Sequence, residues 1–366
     1  MNHHRLSFLI LPVLGGAVAA LLLNPQSAAA GFDSGLALCL HSVMPAMFPF
    51  MVLCNLLAAC PQSAVLGLPL RPLTAFCGLR ARQAPLTLLL SWLGGYAVCA
   101  QCIANYRRLG RLTQSEATLL LLLGCCSGPG FVIGCVGGLL LGSVRLGLLL
   151  YGLQLAANFL SAACLWPFLR RGFSEAGCTS TKHEPPRAEA IPDGGISAAI
   201  SDAVTASLSI CGCILFFRVL CAVLLSFLPQ GVPLLAPLCS SVFEISAGCA
   251  DFAALRGPVG LQGVAACLSL LGLSVLAQLK TLLKDALPQA IPPLLISRLV
   301  HVFWMQALVR LCLHFVPGET AVFSSLAPRL VVKSRAAPDA VLGLFCLACV
   351  VLYKARKNLY TVYHQM

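Results

Sequence analysis

Three groups of residues in this chain have the types and spacing to do chemistry inside an apolar medium. The first is Ser127-Gly128-Pro129-Gly130, set in the middle of a hydrophobic run. Gly and Pro interrupt the backbone hydrogen-bond ladder, and in hydrocarbon the freed N–H and C=O groups are tolerated only where they line a cavity or are covered by protein. A half-helix starting beyond Pro129 aims its positive N-terminal end at the break. That end suits a carboxylate or other anionic group, with the Ser127 hydroxyl as a further donor. The second group is Glu244-Ile245-Ser246, an ionisable side chain in an apolar segment, where burial is costly and marks a cavity or a partner. Glu244 can carry a coupling proton or cation, or bond a solute; a structural pair with Arg218 or Arg298 is the alternative. The third is Ser274 and Gln278, which follow a second small-residue break at Leu271-Gly272-Leu273-Ser274. Any one of these hydroxyls or amides is explained equally well by an interhelical hydrogen bond. Together Gln101, Ser127, Gly128, Gly130, Glu244, Ser246, Ser274 and Gln278 form a candidate substrate-binding set drawn from four segments.

The remaining polar candidates have competing readings. Arg218 and Arg298 lie within apolar runs, either neutralising a bound anion or snorkelling to an interface. Asp251 stands near Arg256, as an interfacial ion pair would, with a ligand role as the alternative. His41, four residues before Pro45, is a proton relay or a packed hydrogen-bonder. Gly134, Gly138 and Gly142 form a small-xxx-small ridge for close helix packing. Most of the 20 cysteines sit in apolar runs, where Cys acts as a small hydrophobe, and Cys99-x-x-Cys102 and Cys211-x-Cys213 are the close pairs worth testing for redox or metal chemistry. There is no His-Glu-x-x-His element, nucleophile elbow or acidic pair of metal-binding spacing, so neither an enzyme nor a resident metal is expected. The only accessory species expected is a coupling proton or Na⁺.

The elements that position these residues follow from composition. With 366 residues, 59% hydrophobic and 10% charged, the chain has too few charges to cover a soluble surface, and is expected to be an all-α polytopic membrane protein. The net charge of +12 orients it, since Lys and Arg gather on cytoplasmic loops; nucleic acid is not an expected partner. Apolar runs near 6–23, 35–59, 84–104, 116–142, 146–169, 198–228, 233–254, 259–283, 289–316 and 338–353 cannot all cross the membrane without splitting the basic loops between both faces. Placing Arg71, Arg80 and Arg82 on one side with Arg107, Arg108 and Arg111 requires residues 84–106 to enter and return at one face, turning at Gly94-Gly95. Keeping Lys280, Lys284 and the tail Lys354, Arg356 and Lys357 on that side requires a second re-entrant hairpin at 233–255, turning near Ser246-Ala247-Gly248.

The expected organisation is therefore an N-terminal span at 1–30, retained rather than cleaved, and a first repeat at 35–169 with hairpin 84–106 and broken helix 116–142. A polar cytoplasmic linker follows at 170–196. An inverted repeat comes next at 198–316, with hairpin 233–255 and broken helix 259–283, and a span with a basic tail closes the chain at 338–366. Inverted repeats with paired broken helices are a general plan of alternating-access carriers. Thr113-Gln-Ser-Glu116 is a capping-box pattern that opens the helix leading to the first break.

Several of these motifs carry a family resemblance. Met44-Pro45-Ala46-Met47-Phe48-Pro49-Phe50, Gly94-Gly95-Tyr96 through Arg111, Ser127 to Gly134, and Phe243-Glu244-Ile245-Ser246-Ala247-Gly248 resemble the sporulation integral membrane protein YlbJ family, also called SpoVV. That family carries the nucleoside-recognition Gate domain. The resemblance covers roughly residues 35–315 and extends, more distantly, to concentrative nucleoside transporters, whose site is built by two hairpins and two broken helices. The chain departs from the pattern at Ala97, at Cys125-Cys126 and after Ser274, where relatives tend to carry Pro, polar residues and His. The resemblance implies a carrier of dipicolinate in the outer forespore membrane of a spore-forming bacterium, supporting cortex formation and dormancy. A proton- or Na⁺-coupled carrier of nucleosides or other organic solutes in the bacterial cell membrane, and a non-transporting scaffold of spore assembly, are the alternatives. The implied partners are a small-molecule substrate, the lipid bilayer and a second copy of the chain as a homo-oligomer.

Overall fold

The structure, a computed structural model, describes residues 3–172, 195–227, 232, 234–255 and 257–315. Most of the linker expected at 170–196, the span expected at 338–366, and Arg256 lie outside the described residues. Every regular element among the described residues is a helix. Six helical stretches there are long and apolar enough to cross a membrane: Pro25–Leu57, Ala84–Arg108, Val144–Leu169, Gly195–Ser226, Gly257–Leu283 and Ile291–His314. The chain is a multi-pass integral membrane protein. Its packing agrees: large apolar side chains such as Phe216, Leu299 and Phe303 face outward, more than 60% exposed, while Gln154, Asn158, Arg298 and His301 are fully buried.

Helix α1 (His3–Leu23) ends at Asn24, and α2 (Pro25–Leu38) starts with Pro25 in its first turn, where a missing N–H costs nothing. The boundary thus falls at 24–25 rather than in the stretch 30–35 that hydropathy suggested. A π-helical turn, Cys39–Val43, joins α2 to α3 (Met44–Ala59). Both helices pack along α8 (Gly195–Ser226). A ten-residue 3₁₀ stretch, Pro61–Leu70, and the short α4 (Arg71–Phe76) lead to the first hairpin.

Length and composition place α5 (Ala84–Arg108) among the candidate spans, but its backbone does not run straight. Gly95 adopts φ 78°, ψ −168° within it. A Cβ at Gly124 would meet both Ser91 Cβ at 2.9 Å and Cys99 Sγ at 3.2 Å. Eight residues of continuous helix would hold Ser91 and Cys99 about 12 Å apart, so the chain reverses at Gly95 and lays one arm against the other. Leu86 and Leu90 of the first arm share an apolar cluster with Val98 and Cys102 of the second. The two ends of this hairpin meet at one end of the bundle, where Glu116 Oε1 accepts from the Arg80 and Ala81 N–H groups at 3.0 and 2.8 Å. Each arm reaches ~16–20 Å, short of a ~30 Å hydrocarbon core.

Beyond it, α6 (Gln114–Gly124) opens on the full capping box of Thr113 and Glu116. The first break spans Cys125 to Pro129, and the chain resumes as a π-helical segment, Gly130–Leu140, before α7 (Val144–Gly172). The expected ridge packs closely only in part: a Cβ at Gly134 would lie 3.3 Å from Ala46 Cβ, the closer approach is at Gly137, whose Cβ would lie 2.5 Å from Gly147 Cα, and Gly142 has open space and turns the chain with φ +69°. In the second half, α9 (Leu235–Phe243) and α10 (Ile245–Ala254) form another tight reversal, with a Cβ at Gly248 falling 2.6 Å from Ser241 Cα. Helices α11 (Gly257–Leu270) and α12 (Gly272–Leu283) are separated at Leu271, and α13 (Ile291–Phe315) packs along α7 and α11. Arg107, at the end of the first hairpin, donates to Ala286 C=O at 3.3 Å, so the Arg107–Arg111 group and the end of α12 with Lys280 and Lys284 share one end of the bundle.

Gly95→Ala is expected to destabilise the protein by more than ~1 kcal/mol, because the new Cβ meets positive φ and sits 2.9 Å from the Gly128 nitrogen. Gly152→Ala, in open space on α7, should be neutral or slightly stabilising. Thermal unfolding of both purified proteins in one detergent checks the contrast.

Candidate functional site

Each hairpin tip is pressed onto a broken helix. At the first, a Cβ on Gly128 would lie 3.1 Å from Leu93 C=O and 3.2 Å from Gly95 N, so two backbones touch where both lack side chains. At the second, a Cβ on Gly272 would lie 3.2 Å from Glu244 N and from Phe243 C=O. The break there is strained: Leu271 has φ 70°, the one positive φ on a non-glycine among the described residues. Such a conformation costs roughly 1–2 kcal/mol and persists where the surroundings impose it.

The second hairpin turns at Glu244, not at Ser246-Ala247-Gly248 as the sequence suggested. Glu244 is extended (φ −150°, ψ 129°), and its carboxylate caps α10 by accepting from Ala247 N–H at 2.8 Å. A carboxylate at a helix N-terminus satisfies orphan donors and meets the positive end of the helix dipole, so the turn settles on the acidic residue. Glu244 is buried, and no ion pair joins it to Arg218 or Arg298. Arg218 on α8 instead forms a two-pronged pair with Asp251 on α10 at 2.5 and 2.7 Å, supported by Ser240 and Ser34. Asp251 therefore bridges α10 to α8; Arg256, the partner the sequence suggested, lies outside the described residues.

Leu93 to Ala97 of the first hairpin, Ser127, Gly128, Gly130 and Phe131 of the first break, and Ile245 and Ser246 of the second hairpin line one cavity, closed by Met47, Phe50 and Met51 of α3. It is narrow, about 20 Å³, room for a single water. Of the candidate set, the fold brings Ser127, Gly128, Gly130 and Ser246 to this cavity, with Glu244 one residue away in the chain. Ser274 is buried on α12 with its hydroxyl unpartnered, beside the break but off the cavity wall. Gln278 is half-buried one turn further on, and Gln101 is exposed; neither lines the cavity. His41 is also exposed, on the π-helical turn.

Behind the first break lies a polar network. Three carbonyls at the break are taken by side chains: Leu123 C=O by Trp92 Nε1 at 3.1 Å and Asn158 Nδ2 at 3.3 Å, Cys125 C=O by Arg298 Nη1 at 3.0 Å, and Ser127 C=O by Gln154 Nε2 at 2.9 Å. Arg298 Nη2 donates to Asn158 Oδ1 at 2.9 Å, and His301 Nε2 lies 3.1 Å from Gln154 C=O. Arg298 does not snorkel; it is 1% exposed. Gln154, Asn158 and His301 were not in the candidate set. Their signal is present in the sequence, because Gln154, Asn158 and Ser161 recur at helical spacing on one face of an apolar helix, as Arg298 and His301 do on another. Compared with known protein families, characterised proteins and solved structures, the chain matches none.

Glu244→Ala is expected to cost about 0.5–2 kcal/mol through loss of the cap, whereas Glu244→Gln, whose amide oxygen still accepts, should stay close to wild type. Gln154→Leu should cost ~1–3 kcal/mol by stranding the Ser127 carbonyl. Thermal unfolding in detergent ranks all three.

Proposed function

We propose that this protein is a secondary carrier that moves a small organic solute by alternating access. The observation that carries the reading is the double apposition: two hairpin tips seated on two broken helices, with residues of both hairpins and the first break around one cavity. Irregular backbone at this depth is costly, and it is held here by a network with no counterpart in a simple helical bundle. In this reading the hairpins are re-entrant, the two halves form an inverted repeat, and the narrow cavity is a closed state of the solute path. Ser127, Gly128, Gly130 and Ser246 contact the solute, and Glu244 carries a coupling proton or senses a coupling cation. The resemblance to the YlbJ family supplies the solute and the setting: an anionic aromatic solute, dipicolinate, crossing the outer forespore membrane during sporulation.

Flux into vesicles tests this. Purified protein should take up dipicolinate in preference to nucleosides, and Glu244→Gln and Ser127→Ala should each lower the rate about tenfold or more. Absence of flux for either solute, together with an intact sporulation phenotype in both variants, sinks the proposal. Motion of the second hairpin has a separate test. Cys221 Sγ on α8 lies 3.5 Å from Ser240 Oγ on α9, so Ser240→Cys places two thiols in position to be oxidised to a disulfide. Copper-phenanthroline should arrest flux in that variant and reductant should restore it; flux indifferent to the crosslink means that the hairpin does not move against α8.

A further inference from the structure

Arg298 heads the fully buried side chains in size, and no carboxylate pairs with it; among the described residues the ion pair is Arg218 with Asp251. Its charge is offset in part by the C-terminal end of α6, whose freed Cys125 carbonyl it bonds at 3.0 Å. A helix end carries about half an elementary charge, so a full cation placed there leaves an excess of positive charge out of water. Four buried polar atoms in the same network have no partner: Arg298 Nε, Ser127 Oγ, His301 Nδ1 and Gln154 Oε1. Buried polar atoms are seldom left so, and a cluster of them marks a missing partner. Ser127 belongs both to this cluster and to the cavity wall, so the network and the cavity adjoin.

We propose that Arg298, Ser127, Gln154 and His301 form a subsite for a small anion, a carboxylate group or a halide, which enters from the cavity past Ser127. The guanidinium supplies the counter-charge, and Arg298 Nε–H and the Ser127 hydroxyl are the donors. His301 gives its Nε2–H to the Gln154 carbonyl, which leaves Nδ1, like Gln154 Oε1, as an acceptor for a water or a donor group arriving with the anion. Asn158 positions the guanidinium by accepting from Nη2. The inference rests on the carrier reading for the route of entry, and its test is binding rather than flux.

The full-length protein in nanodiscs is titrated with pyridine-2,6-dicarboxylate, with its neutral diamide and with chloride, by calorimetry and thermal shift. The diacid should bind at least about tenfold more tightly than the diamide, and Arg298→Gln should erase that preference. Asn158→Asp sets a same-sized carboxylate against Nη2, 2.9 Å away in the native pair, and neutralises the cation from within. It gives up the Nδ2–H bond to Leu123 C=O, which Trp92 Nε1 still serves, so the unfolding temperature should stay near that of wild type while the diacid binds about tenfold or more weakly, and it carries the test if Arg298→Gln does not fold. Chloride binding that Asn158→Asp abolishes, without diacid binding, assigns the subsite to a halide. Binding of the diacid that is indifferent to Asn158→Asp overturns the proposal, as does a diamide that binds as well as the diacid, or a wild type that binds neither anion. Flux without any Arg298-dependent anion binding sinks this inference alone. Arg298-dependent binding without any flux sinks the carrier reading alone.

Discussion

A backbone polar group in hydrocarbon has no water to turn to, and every interruption of a helix frees several at once. The arrangement of this protein follows from that constraint. At the first break the carbonyls of Leu123, Cys125 and Ser127 are met by Trp92, Asn158, Arg298 and Gln154. At the tip of the second hairpin the Glu244 carboxylate meets the N–H of Ala247. These partners come from α5, α7 and α13, so the break draws together helices that lie far apart in the chain.

The signs of the charges follow the helix dipoles. A cation, Arg298, sits at the C-terminal end of α6, and an anion, Glu244, sits at the N-terminal end of α10. Each helix end offsets part of the cost of holding an ionised group away from water, and each charge stabilises a helix end that would otherwise be bare. The offset is incomplete at Arg298, which is why unpartnered atoms gather there. Glu244 is better served, since its carboxylate closes the turn on which the hairpin depends.

Glycine makes the remaining contacts possible. The hairpin tip at Gly94-Gly95 and the break at Gly128 approach until backbone meets backbone, and Gly272 meets the Phe243-Glu244 backbone in the same way. Leu271 accepts a left-handed backbone just before that contact, so local strain is concentrated at the second break. Side chains larger than hydrogen would hold the tips away from the breaks and open a gap between them.

Much of this was legible in the amino-acid order. The apolar runs, the break at Gly128-Pro129-Gly130, the second break at Leu271-Gly272, the capping box at Thr113 and the turn at Gly94-Gly95 are all local features, and local chemistry decides them. The distribution of arginines added which segments fold back, because charge is sorted by side across a membrane. What the sequence left open depends on contacts between distant segments. The second turn settled on Glu244 because a carboxylate caps α10, Asp251 found Arg218 across to α8, Gln101 faced outward, and Gln154, Asn158 and Arg298 became partners of a break 20 or more residues away. Periodicity tells which residues share a helix face, but only the packing of α7 and α13 around the first break decides which of those faces meets its bare carbonyls.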